Sequence, residues 1–130
     1  MLKQLWATLL DIVYPPKCPG CRAGVDAQGS WCQACLANVF AVREINVYQH
    51  RLKHLDACYA VCEYTGGVKR LIHDMKFRQS KKYAQYLEWL LEYSAVRPRL
   101  ADVDIVMPVP LHSERLSERG YNQTELIFAG

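Results

Sequence analysis

Four cysteines near the N-terminus form two CxxC pairs, Cys18-Pro-Gly-Cys21 and Cys32-Gln-Ala-Cys35, separated by ten residues. Each pair can bring two thiolates to one metal ion from a tight turn, and Pro19-Gly20 supplies the bend in the first pair. Two such pairs give a closed tetrahedral site, which is typical of structural zinc and leaves no coordination position open for catalysis. The sequence therefore predicts a zinc finger over residues 15–40, in which metal binding by Cys18, Cys21, Cys32 and Cys35 helps the segment to fold.

Redox-active CxxC motifs and disulfides are the two alternatives for these pairs. A thioredoxin-type motif follows a strand and precedes a helix, whereas Pro15-Pro16 precedes the first pair here and glycines surround it. These features favour zinc over a redox motif. Cys58 and Cys62 lie instead in the apolar run ACYAVCEY, so we interpret them as small, buried residues of a strand.

A second region with potential chemistry is the segment MPVPLHSERLSERGYNQ, residues 107–123. Its two prolines stop sheet pairing after an apolar run. They are followed by three basic or imidazole side chains, a glycine that permits a tight turn and a residue able to cap a helix: His112, Arg115, Arg119, Gly120 and Asn122. Cations and a helix N-terminus at the end of a strand indicate a pyrophosphate site. The alternative is a charged loop followed by a capped helix.

A third region is a cluster of basic residues in which Asp74 is the only acid: Lys69, Arg70, Lys76, Arg78, Lys81 and Lys82. It is either the solvated face of a helix or a site for a polyanion. The nearby aromatic residues Phe77 and Tyr83 could stack on the bases of a single-stranded nucleic acid, or they could belong to the core. The preceding turn, Thr65-Gly66-Gly67, could cradle phosphate, but a helix cap is the simpler interpretation.

The N-terminal residues 1–14 predict a short amphipathic helix that packs on the body of the protein and ends at Pro15-Pro16. Asp11 interrupts the apolar stretch and no small-x-small cleavage site follows, so a signal peptide is not predicted. No apolar run is long enough to span a membrane. We therefore expect a cytoplasmic protein with reduced cysteines. The net charge of +3 over 130 residues permits an anionic partner without requiring one.

Residues 55–130 alternate between strand-like and helix-like patterns. A strand through ACYAVCEY is followed by a helix with Val68, Leu71, Ile72 and Met75 on one face, and by a second helix from about residue 82 to 95. The continuous apolar run from Val103 to Val109 then predicts a strand buried on both faces, as in a parallel sheet. This order is that of an α/β domain, where ligands bind at the carboxyl ends of strands.

The whole pattern resembles the ComF/GntX family of phosphoribosyltransferase-like proteins. The resemblance rests on PVPLH…RLxxRGYNQ, on YTGGVKRLIHDMKF, and on an N-terminal helix that ends in Tyr-Pro-Pro before the Cys₄ finger. It covers essentially all of the chain. It implies a type I phosphoribosyltransferase fold with a zinc-finger hood, a link to competence and DNA uptake, and, in a complete version, binding of phosphoribosyl pyrophosphate and magnesium.

The resemblance also assigns residues to the pyrophosphate site. By position, Pro110, Leu111 and His112 would form the loop that contacts pyrophosphate, with Arg115 and Arg119 nearby. Lys76 and Arg78 match a basic motif of the family.

The family has a second loop, in which two adjacent acids precede a Thr-rich turn that binds the ribose and 5′-phosphate. This chain has no two adjacent acidic residues. We therefore expect an N-terminal portion, with about the first half of the catalytic domain, that is inactive by itself and either self-associates or needs the missing half. The alternative function is a binding module whose zinc finger and basic cluster contact single-stranded DNA or another single-stranded nucleic acid, without catalysis.

Overall fold

The computed structural model describes residues 9, 10 and 12–129. The elements, in chain order, are α1 (Gln33–Val39), β1 (Phe40–Glu44), β2 (Tyr59–Cys62), α2 (Gly66–Phe77), a 3₁₀ turn (Lys81–Tyr83), α3 (Ala84–Glu92), a second 3₁₀ turn (Arg97–Leu100), α4 (Ser113–Arg119) and α5 (Gln123–Phe128). Most of the helix predicted over residues 1–14 lies outside the described residues. Its described part, Leu9, Leu10, Ile12 and Val13, is helical and its side chains are exposed.

Helix α2 supplies the centre of the core, because its apolar residues recur at helical spacing. Val68, Leu71 and Met75 are 1%, 2% and 0% exposed. Burying three such side chains stabilises the fold by about 5 kcal/mol. The predicted helix and its inward face are thereby confirmed.

Helix α3 packs its Leu87 and Leu90 into the same core cluster as α2. It ends at Glu92, earlier than residue 95, where the sequence pattern placed its end. Ser94 continues the turn by donating its hydroxyl hydrogen to the Leu91 carbonyl oxygen at 2.7 Å. The helix pair α2–α3 is the platform on which the cysteine-rich segment rests.

The sheet in the described residues is a two-stranded antiparallel ribbon of β1 and β2, with Phe40 opposite Cys62 and Arg43 opposite Ala60. From the sequence alone, β2 is expected in a parallel sheet beside residues 103–109, and no strand is expected at β1. The structure corrects this expectation. The chain leaves α1 as β1 and comes back as β2, which pairs antiparallel with β1 and with no other strand of the described residues.

Residues 103–109 have no regular secondary structure and form no strand, so the prediction of a buried central strand is wrong for the described structure. Ile105 and Met107 are 80% and 83% exposed. A strand needs a neighbour for its backbone groups, and no other described segment runs beside this one. The Val109 carbonyl oxygen instead accepts a hydrogen bond from the Asn122 side-chain amide at 2.8 Å.

Candidate metal centre and anion-binding pockets

The four cysteines of the two CxxC pairs converge on one point. Their sulfur atoms all lie within 4.8 Å of one another. A tetrahedral zinc site with Zn–S bonds of about 2.3 Å has sulfurs about 3.8 Å apart. Cys21 Sγ and Cys32 Sγ are 3.5 Å apart, well beyond the length of a disulfide, which is about 2 Å. The four cysteines are therefore positioned to bind a structural zinc ion, as predicted from their spacing.

The first cysteine pair is held in a tight turn, the first knuckle (residues 17–24). The Cys18 amide donates to the Ala23 carbonyl oxygen at 2.8 Å, and the Arg22 amide donates to the Cys18 carbonyl oxygen at 2.9 Å. The Gly20 amide points at Cys18 Sγ, 3.4 Å away. A Cβ at residue 20 would lie 2.5 Å from Cys35 Sγ, so only glycine fits there.

The second pair uses the start of α1. Cys32 is the N-cap residue of that helix, and Cys35 lies in its first turn. The sulfur environments differ. For Cys18, burial raises the pKa but hydrogen bonds from the backbone of Cys32, Cys21 and Gly20 outweigh it, and the net pKa is about 7. For Cys35, burial and the hydrogen bonds that its own S–H donates to the other sulfurs raise the pKa to about 12. Four adjacent sulfurs can all ionise only when a cation such as zinc neutralises them.

The cysteine-rich segment is packed tightly on the helices α2 and α3. Trp31 is 4% exposed, and its indole N–H donates to the Tyr86 carbonyl oxygen at 3.0 Å. At Gly67, near the start of α2, an added Cβ would lie 2.9 Å from the Trp31 ring and 3.0 Å from Gly20 Cα. The cysteine-rich segment and the helices therefore share one core, to which Cys18 also belongs.

Basic residues from the last turn of α2 and from α4 meet in a pocket of about 200 Å³, which we call the cation pocket. It is lined by Lys76, Phe77, Gln79, Arg115, Glu118 and Arg119. Gln79 connects the two sides, because its side-chain amide donates to the Glu118 carbonyl oxygen at 3.2 Å. Three of the residues predicted to bind pyrophosphate, namely Lys76, Arg115 and Arg119, thus come together from segments almost 40 residues apart.

Arg119 is the most constrained cation of this pocket. One terminal nitrogen, Nη1, donates to the Gln123 side-chain oxygen. Its Nε is buried and has no hydrogen-bond partner among the described residues. Arg115 is more exposed, with Nη1 3.8 Å from Glu118 Oε2. The pocket is therefore lined by three cationic side chains, of which Arg119 is held in place by Gln123.

The other residues of the predicted pyrophosphate loop lie elsewhere. His112 is the N-cap of α4, where its Nδ1 accepts from the Glu114 amide at 3.4 Å. Pro110 is exposed and Leu111 is half-buried. None of these three is among the residues that line the cation pocket. The predicted turn and cap are confirmed, because Gly120 has φ +76° and Asn122 Oδ1 accepts from the Thr124 amide at 3.0 Å.

A larger depression of about 470 Å³, the ribbon groove, runs between the first knuckle and the helices. Its charged lining residues are five cations and one carboxylate: Lys17, Arg22, Arg70, Arg78, Lys82 and Asp74. Tyr14 and Tyr83 add aromatic surface. Arg78 also pairs with Asp74 at 3.5 Å. Arg78 therefore belongs to this groove and does not line the cation pocket, where the sequence analysis had grouped it with Lys76.

The sequence analysis did not include Lys17 and Arg22 among the basic residues of interest. They lie about 50 residues before the cluster at 69–82, and a lone lysine or arginine beside a cysteine carries no signal of its own. Only the packing of the knuckle on α2 brings them opposite Arg70 and Lys82. Of the two aromatic residues proposed to stack on bases, Tyr83 lines the groove, whereas Phe77 lines the cation pocket and lies 4.8 Å from the His73 ring.

Comparison with known protein families finds a match for the cysteine-rich segment. Residues 9–46 match the family model of the double zinc ribbon domain. The match includes all four clustered cysteines and covers under a third of the chain. The chain matches no curated protein and no solved structure. Within the described residues, no helix has the length and apolar character needed to cross a bilayer. This chain therefore carries a zinc-binding module of the zinc ribbon type, joined to a helical platform.

Proposed function

We propose that this chain belongs to a ComF-like protein of the phosphoribosyltransferase family, and that its cation pocket binds the pyrophosphate group of phosphoribosyl pyrophosphate. The observation that carries the proposal is the convergence of Lys76, Arg115 and Arg119 on one small pocket. A diphosphate has several anionic oxygens, and guanidinium groups bind such oxygens through charge-assisted hydrogen bonds.

In this proposal the zinc ribbon is structural. Zinc would hold the four cysteines and fix the segment whose Trp31 packs on α2, and it would take no part in chemistry because four thiolates leave no open position. Magnesium and the ribose 5′-phosphate would be bound only in a complete version, by a loop with adjacent acids. This chain has no such acidic pair. Pro110, Leu111 and His112 would approach the ligand only if α4 shifts on binding.

The test is a calorimetric titration of inorganic pyrophosphate into the zinc-loaded chain at low salt. We expect the double variant Lys76→Gln/Arg115→Gln to bind at least about tenfold more weakly, equivalent to about 1.4 kcal/mol. Lys53→Gln is the control, because Lys53 is an exposed cation of the loop before β2. Equal affinity of the double variant and the control would show that the cation pocket is not the pyrophosphate site.

A second candidate function is binding of single-stranded nucleic acid, and the ribbon groove is the observation that favours it. Five cations along a groove suit a phosphate backbone, and tyrosine rings suit unstacked bases. We expect the chain to bind a fluorescent oligothymidylate, with an affinity that falls steeply as salt increases. Binding that is independent of salt, or no binding at low salt, would rule this function out.

A further inference from the structure

The ribbon groove has two walls that are held in different ways. One wall belongs to α2 and the turn after it, and the apolar core fixes it through Leu71 and Met75. The other wall belongs to the first knuckle. There Lys17 immediately precedes Cys18, and Arg22 immediately follows Cys21. Each of these two cations is thus adjacent in the chain to a predicted zinc ligand.

The two ends of the knuckle differ in how they are anchored. Cys18 is 1% exposed and lies in the core, so Lys17 is fixed from the body of the protein. Cys21 is exposed, and its side-chain contact with the second cysteine pair is its sulfur, 3.5 Å from Cys32 Sγ. A metal ion at the four sulfurs would therefore set the position of Cys21 and of Arg22 beside it.

Arg22 also has an unusual backbone conformation. Its φ is +66°, in the left-handed region that favours glycine. A side chain costs free energy in this conformation. An arginine at this position therefore destabilises the turn somewhat, but it places a positive charge at the wall of the groove. A change of Arg22 to glycine would therefore relieve backbone strain, which favours stability. The same change would remove a positive charge from the groove, which weakens binding of an anion.

Resting on the second candidate function, we propose that Arg22 is a backbone-phosphate contact of the ribbon groove and that zinc controls it. Zinc at Cys18, Cys21, Cys32 and Cys35 aligns the knuckle with the wall formed by Arg70, Arg78 and Lys82. A single strand then lies between two rows of cations, with Tyr14 and Tyr83 available to its bases. Without zinc the α2 wall remains and the knuckle wall is lost, so the groove keeps its cations on one side only.

The decisive variant is Arg22→Gly, compared with Arg51→Gly. Arg51 is also exposed and also has a left-handed φ, of +56°, but it lies outside the groove. Both changes remove one positive charge and relieve the same kind of strain. The probe is a 15-residue fluorescent oligothymidylate, followed by anisotropy with the full zinc-loaded chain. Zinc content and melting temperature are measured for each protein.

We expect both variants to keep their zinc and to melt no lower than the wild type. Arg22→Gly should bind the oligonucleotide about fivefold more weakly, and its slope of log affinity against log salt should be shallower by about 0.7, the value for one lost phosphate contact. Arg51→Gly should bind as the wild type does. If Arg22→Gly and Arg51→Gly bind equally well, Arg22 does not contact the phosphate backbone, and the proposal is wrong.

The zinc arm uses a chelator and far-ultraviolet circular dichroism. Removing zinc from the wild type should weaken oligothymidylate binding and make its salt slope shallower, while the helical signal of α2 and α3 persists; adding zinc should restore both. Unchanged binding by the zinc-free chain overturns the proposed control by zinc. If the zinc-loaded wild type does not bind the oligonucleotide at all, the second candidate function fails along with this proposal.

Discussion

Tyr121 donates its phenolic hydrogen to the backbone carbonyl oxygen of Met75, the most deeply buried residue of the core. Met75 lies in the last turn of α2, where a carbonyl oxygen has no partner within the helix. The bond therefore satisfies a buried acceptor and connects the segment after α4 to α2. Since Arg119 and Lys76 each lie within two residues of this bond, it also aligns the two sides of the cation pocket.

Removing this hydroxyl should destabilise the protein. We expect Tyr121→Phe to lower the free energy of unfolding by about 1–3 kcal/mol, because the buried Met75 carbonyl loses its partner. Tyr48→Phe is the control, since Tyr48 is 91% exposed. Urea denaturation of both variants measures the difference. A Tyr121→Phe protein as stable as the control would mean that water replaces the hydroxyl at no cost.

The metal centre makes a direct prediction about composition. The purified chain should contain about one equivalent of zinc, and Cys21→Ser or Cys32→Ser should lose the metal and the protease resistance of roughly the first 40 residues. Cys58→Ser should keep both, because Cys58 is not part of the four-sulfur cluster. Metal analysis and limited proteolysis test this. Two disulfides in cytosolic material, seen by non-reducing mass spectrometry, would contradict it.

Gly20 and Gly24 allow a matched comparison within the first knuckle. A methyl group at residue 20 would lie 2.5 Å from Cys35 Sγ, whereas one at residue 24 meets nothing within 4 Å. Gly20→Ala should therefore displace a zinc ligand, weaken zinc binding by at least about tenfold and lower the melting temperature. Gly24→Ala should do neither. Competition with a coloured chelator measures both affinities, and equal values would refute the predicted clash.

The chain should not release pyrophosphate from phosphoribosyl pyrophosphate. In the proposed function the cation pocket would contact only the diphosphate, and this chain has no two adjacent acids to bind magnesium and ribose. An assay with magnesium should give the same background rate for the wild type and for Arg115→Ala/Arg119→Ala. A rate for the wild type clearly above that of the double variant would show that the chain is catalytically competent.

The exposed apolar segment at residues 103–109 predicts self-association. Ile105 and Met107 are 80% and 83% exposed, and an unpaired segment with apolar side chains recruits other chains. We expect light scattering to show mass that increases with concentration. Ile105→Lys/Met107→Lys should reduce the effect. Monodisperse monomer at all concentrations, with a cooperative melt, would contradict the prediction.

The parts that could be predicted from sequence are those determined by near neighbours in the chain. The CxxC spacing fixes which sulfurs meet, and the positions of Val68, Leu71 and Met75 fix the inner face of α2. The cap at Asn122 and the turn at Gly120 follow from local backbone preferences in the same way. These features are correct because each depends on a few consecutive residues.

The parts that failed depend on partners far away in the chain. The apolar run from Val103 to Val109 has the composition of a central strand, but composition does not supply a neighbour. The strand β1 was missed because Phe40–Glu44 is recognisable only by its pairing with β2. Lys17 and Arg22 were missed for the same reason, since their role depends on how the knuckle packs against α2.

The contact of Gly67 with Trp31 and Gly20 has a consequence for how this chain can be divided. The segment that matches the zinc ribbon family ends at residue 46, yet Trp31 is bonded to Tyr86 and its ring touches the backbone at Gly67. Excised at residue 46, the ribbon would expose its tryptophan and part of the surface of Cys18 to water. The recognisable motif is therefore shorter than the unit that folds, and a ribbon transferred to another protein would need the first turns of both α2 and α3 to cover its tryptophan.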